Sequence, residues 1–179
     1  MHDLEPAEAG SRIVDNLNQF LRRLRQYQSE AEWIAAVLDG ASYFVQQGAI
    51  FTVEGAGLRL RGQFNLGMPE SLEFPISSAA AFAAAIASKD PVVALRTASE
   101  VTDSLSQPGS GERALVVPIL HGDRVVAVLF AANRNEIDVN ALELIAGMAS
   151  LVLERRSNLS LYAQIGAPSF ASPLKGVMS

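Results

Sequence analysis

The stretch from Arg113 to Ala132 constrains the fold more than any other. Two apolar runs, Arg113 to Leu120 and Arg124 to Ala132, flank the short connector His121-Gly122-Asp123. Branched and aromatic residues favour strands, and a glycine-centred connector of this length reverses the chain, so the segment reads as an antiparallel hairpin.

More strands lie upstream. Ala49 to Val53 is a short apolar run and Gly55-Ala56-Gly57 a turn. Leu58 and Leu60 then alternate with Arg59 and Arg61, which places leucines on one face and arginines on the other. Those arginines are either solvated or the rim of a pocket facing an anion. Leu72 to Ile76 and Pro91 to Leu95 complete a set of five or six strands.

Helices bracket the strands. From Ser11 the apolar residues Ile13, Leu17, Phe20, Leu24 and Tyr27 recur at alternating spacings of four and three. That seam suits either a subunit contact or packing onto the chain's own sheet. Ser29-Glu30-Ala31-Glu32 is a capping box that opens a second helix with the face Trp33, Ile34, Val37, Leu38, Ala41 and Phe44, ending near Gly48. Ser77-Ser78 precedes an alanine-rich helix from Ala79 to Ser88, stopped by Lys89-Asp90-Pro91. Arg96 to Glu112 is the longest irregular stretch, with a short helix expected at Ser99 to Ser106. A terminal helix runs from Ile137 to about Leu159. Residues 1–10 read as a flexible start or linker, 11–160 as one domain and 161–179 as an extended or mobile tail.

Composition narrows the function. The 179 residues are 49% hydrophobic and 18% charged, which affords a core for one domain and excludes global disorder. A net charge of −5, with no basic run beyond Arg22-Arg23 and Arg155-Arg156, argues against nucleic acid and anionic membranes as partners. No cysteine is present, which removes disulfides, thiolate nucleophiles and cysteine metal sites. With no apolar signal core and no run near the ~18 residues that span a bilayer, a cytoplasmic location is expected.

Taken in order, several stretches resemble a GAF domain. Ala114 to Leu120, the Gly122 turn and Val125 to Phe130 are similar to that family's paired strands, with Pro118 before the turn. Ile137 to Ala146 resembles the start of its last helix, and Ala80 to Val93 its middle helix and following strand. The resemblance covers about Ser29 to Arg156 and implies an α+β (PAS-like α/β) fold. Its antiparallel sheet of five or six strands would carry the terminal helices on one face and the middle helix with loops on the other. The NKFDE set of the cyclic-nucleotide-binding members is not found, and the cysteines of the bilin-binding and methionine-sulfoxide-reductase members are absent.

Catalysis is not expected. His2 and His121 are the only histidines, and there is no zinc-binding spacing, nucleophile elbow, P-loop or dinucleotide fingerprint. The resemblance places a ligand pocket near Phe51, Arg61, Phe74, Ser77, Ser78, Phe82 and Val117. Ser77-Ser78 either caps its helix or offers N–H donors to an anion. The aromatics either line a cavity or fill it.

Association has a second basis. On the terminal helix Leu142, Ile145, Ala149, Val152 and Leu153 form one stripe, and Leu144, Met148 and Leu151 a second. The apolar arc is roughly 200°, wider than one sheet contact needs. The second stripe requires either the first helix or another subunit. The expectation is a sensory, regulatory domain that binds a small molecule and couples it to a homodimer helix bundle built on Ile13, Leu17, Phe20, Leu24, Leu144, Met148 and Leu151. A ligand-free dimerisation scaffold is the alternative. Neither a metal nor a covalently held cofactor is expected, and an output partner or fused output domain would carry the signal onward.

Overall fold

The computed structural model describes residues 6–165, with side chains over residues 7–159. Its centre is a six-stranded sheet built from β1 (Gln47–Glu54), β2 (Gly57–Phe64), β3 (Glu73–Pro75), β4 (Val92–Leu95), β5 (Arg113–His121) and β6 (Arg124–Ala132). The order across the sheet is β3-β2-β1-β6-β5-β4, and each neighbouring pair is antiparallel. The apolar hairpin of β5 and β6 therefore sits inside the sheet.

Helices cover both faces, which explains the lack of apolar–polar alternation in β5 and β6. Leu115, Val117, Ile119, Ala127, Leu129 and Ala131 face α1 (Pro6–Gln26), α2 (Glu30–Ser42) and α5 (Val139–Ile165). Ala114, Val116, Val128, Phe130 and Ala132 face α3 (Ala80–Ser88) and the short α4 (Ala98–Val101). The expected α+β architecture is present, with terminal helices on one face and the middle helix and loops on the other.

Local chemistry sets the helix ends. Ser29 is the N-cap of α2 and accepts from the Glu32 N–H at 3.2 Å, while Glu32 Oε2 accepts from the Gln28 N–H at 2.7 Å. The capping box thus reaches one residue further back than the simplest form. The first helix begins at Pro6 rather than Ser11, since proline at the first helical position loses no hydrogen bond. Helix α2 stops at Ser42, earlier than the expected glycine stop, and residues 47 and 48 open β1 instead. Helix α5 runs past residue 160 to Ile165; between Gly147 and Gly166 the sequence offers no glycine or proline to end it. The expected tail from residue 166 onward, and residues 1–5 of the expected flexible start, lie outside the described residues.

Candidate functional site

Three of the expected pocket residues meet beneath α3. Phe51, Phe74 and Phe82 pack edge to face, with ring centroids 5.3, 5.4 and 5.5 Å apart, and Phe130 lies stacked on Phe82. All four rings are buried, so the space between α3 and the sheet is occupied by the protein's own aromatics.

The other expected pocket residues lie elsewhere. Val117 faces the terminal helices, and its neighbour Val116 takes the α3-facing position. Arg61 reaches α2, where its Nη2 pairs with Glu30 at 2.9 Å. Ser77 and Ser78 belong to a single 3-10 turn, and neither caps α3; Ala79 holds that position without a side-chain bond. Ser78 Oγ instead donates to the Pro75 carbonyl at 2.8 Å.

Sequence reasoning missed Arg96. It is buried at the end of β4 and ties down the long irregular stretch. Its Nε donates to the Leu105 carbonyl at 3.0 Å, and its Nη1 donates to Gln47 Oε1 at 2.8 Å and to Glu112 at 3.1 Å. The guanidinium carbon is 5.8 Å from the centre of the Phe130 ring. Burial pulls its pKa below the usual arginine value, against the opposing hydrogen bond and charge of Glu112. The loop is therefore pinned at both ends by one cation. An arginine in a polar stretch of sequence gives no sign of this.

An open cavity of about 520 Å³ lies on the sheet face covered by α1, α2 and α5, where the ends of the two hairpins meet the α1–α2 junction and the middle of α5. Tyr27, Trp33, Val126 and Leu153 give it apolar walls, and Arg61, Arg156 and His121 supply polar ones. Arg156 Nη1 donates to the Tyr27 carbonyl at 2.8 Å, and its guanidinium carbon lies 4.5 Å from the centre of the Tyr27 ring. His121 Nε2 and Ser157 Oγ are 2.8 Å apart. This volume falls in the range of small-molecule sites.

The residues expected at a dimer interface divide into two groups. Phe20 and Leu24 are buried in the chain's own core, with Phe20 seated on Gly40 of α2, and Leu17 and Met148 pack partly against that core. For these residues the neighbour is intramolecular, because α1 lies on α2 and supplies the apolar surface they need. Ile13, Leu144 and Leu151 stay exposed, at 44%, 45% and 65%.

No protein-family model matches the chain, nor does the sequence of any curated protein. Solved structures do match its backbone. The GAF domain of an Acinetobacter phosphoenolpyruvate-protein phosphotransferase superposes with a TM-score of 0.58 at 18% identity, covering 82% of this chain and 95% of that one. The GAF domain of a two-component sensor histidine kinase from Bacillus halodurans gives 0.57 at 16% identity, over 77% of this chain and 100% of that one. The fold is that of a GAF domain.

The GAF-like fold also corrects one expectation. Free methionine-R-sulfoxide reductase from Neisseria meningitidis, solved with its substrate, superposes with a TM-score of 0.60 at 18% identity, over 81% of this chain and 91% of that one. An enzyme is thus among the proteins that share this GAF-like backbone, and the exclusion of catalysis drawn from the sequence does not stand. No helix among the described residues is long and apolar enough to cross a membrane.

Proposed function

We propose that the chain is a cytoplasmic, GAF-like regulatory domain of signal transduction that works as a homodimer through α5 and the start of α1. The observation that carries this reading is an apolar row on α5 that no described residue covers. Leu144, Leu151 and Leu159 are all exposed large aliphatic side chains on one 27-residue helix, and Ile13 and Val14 are exposed on α1. Full burial of a leucine is worth ~1.5–3 kcal/mol, and a symmetric pair counts each side chain twice. Association costs ~4–15 kcal/mol, so three leucines per copy sustain a reversible dimer rather than a permanent one. The signalling proteins from which the GAF-domain neighbours come support a sensory role. The phenylalanine-filled face under α3 weighs against a ligand there and favours association as the main task of the fold.

Sedimentation velocity across the micromolar range tests the reading. The full chain is expected to shift from monomer to dimer with concentration, and the Leu144→Glu, Leu151→Glu double variant to stay monomeric. A wild type that is monomeric throughout would overturn it.

A further inference from the structure

The sheet contains two register shifts. One lies between Ile50 and Phe51, where β2 carries an extra residue, and the other between Ile119 and Leu120, where β6 does. The residues left without a partner are Arg61 and Val126. They belong to different hairpins, yet both line the helix-side cavity. A bulge re-aims one side chain at a local cost to the ladder and concentrates beside functional sites. Two bulges thus place side chains along one cavity.

The cavity wall carries two carboxylates, Glu30 and Glu54, and two arginines, Arg61 and Arg156. Glu30 is engaged by Arg61 at 2.9 Å, and Glu54 is flanked by Arg59 and Arg61. Arg156, by contrast, has no carboxylate partner among the described residues; its Nη1 and Nη2 rest on the Tyr27 and Gln28 carbonyls at 2.8 and 3.3 Å. Trp33 lines the same cavity, is 3% exposed, and its Nε1–H has no acceptor among the described residues. Tyr27, Val126 and Leu153 meanwhile favour a flat apolar body.

We infer that this cavity, on the opposite side of the sheet from α3, binds a small aromatic carboxylate. The ring lies against Trp33 and Val126, and the carboxylate faces Arg156. The occupant touches the end of α1, the start of α2 and the middle of α5 together. The site does not depend on helix pairing, and its test reads binding alone.

The chain has a single tryptophan, so its indole N–H gives one resonance in a nitrogen-15 correlation spectrum. Titration of the full chain with 2-naphthoate is expected to shift that resonance saturably, with a Kd on the order of 10–100 µM. Arg156→Gln is expected to weaken binding about tenfold, as loss of one charge-assisted contact does, while leaving the affinity for neutral 2-naphthamide unchanged. Val126→Phe fills the cavity and is expected to abolish the shift; Ser157→Phe does the same from α5 should Val126→Phe lose the native spectrum. The Leu144→Glu, Leu151→Glu variant is expected to bind like wild type, which separates this result from the association test. No saturable shift at millimolar naphthoate, or a shift undiminished in a folded cavity-filled variant, would overturn the site. An Arg156→Gln variant that binds naphthoate as well as wild type would overturn its assignment to a carboxylate.

Discussion

Phe82 on α3 lies stacked on Phe130 of β6, with ring centroids 6.2 Å apart and planes within 6° of parallel. Phe51 and Phe74 close the arrangement edge-on. The space between α3 and the sheet, where the sequence suggested a ligand pocket, is thereby occupied by aromatic side chains, and the packing has a measurable consequence.

Phe82→Ala removes a fully buried ring from this group. The expected loss of stability is ~3–5 kcal/mol, because transfer and cavity terms add. Urea unfolding followed by circular dichroism measures it. A loss below about 1 kcal/mol would mean that the space collapses easily and is not held open by its neighbours.

Arg96 is the second structural anchor of that face. Replacing it with methionine removes the cation from Leu105, Gln47 and Glu112 at once. The expected cost is ~2–4 kcal/mol, toward the lower part of the buried-pair range because Glu112 keeps some contact with water. Arg96→Lys is expected to recover only part of it, since one ammonium cannot reproduce the guanidinium fork. Hydrogen exchange should show the 97–112 stretch losing protection first, and unchanged exchange there would contradict the role given to Arg96.

Gly40 poses a contest between two effects. Alanine favours a helix interior over glycine by ~1 kcal/mol. A Cβ at this position, however, would lie 2.7 Å from Phe20 Cδ2 and 3.0 Å from its Cγ. Overpacking of that kind costs ~1–3 kcal/mol, and Phe20 is held in the core by α1. Gly40→Ala is therefore expected to destabilise the chain and to loosen α1 from α2. A rise in thermal midpoint would show that Phe20 moves aside at little cost.

Much of the architecture is legible in the sequence, while the site is legible only in pieces. Ser29 and Glu32 announce the start of α2, and the β5–β6 hairpin is plain from its apolar runs. Those same runs hide the facing of each residue: where every position is apolar, alternation carries no label, and Val117 falls on the wrong side. Bulges are invisible for a related reason. The Leu–Arg alternation of β2 reads as regular, yet Arg61 is the residue that its ladder skips. Arg96 owes its role to partners far away in the chain, and no local pattern encodes them.

Helix association is the central claim, and the cysteine-free chain permits a direct test of it. Cysteines introduced singly at Leu144, Leu151 and Leu159, the exposed leucines of α5, are compared under mild oxidation with one at Ser71, an exposed position just before β3. At least one α5 variant is expected to form a disulfide-linked dimer at micromolar concentration while Ser71→Cys does not. All three would link in a parallel pair, and fewer in an antiparallel one. If no α5 cysteine cross-links faster than the one at residue 71, α5 does not meet a second copy and the account fails.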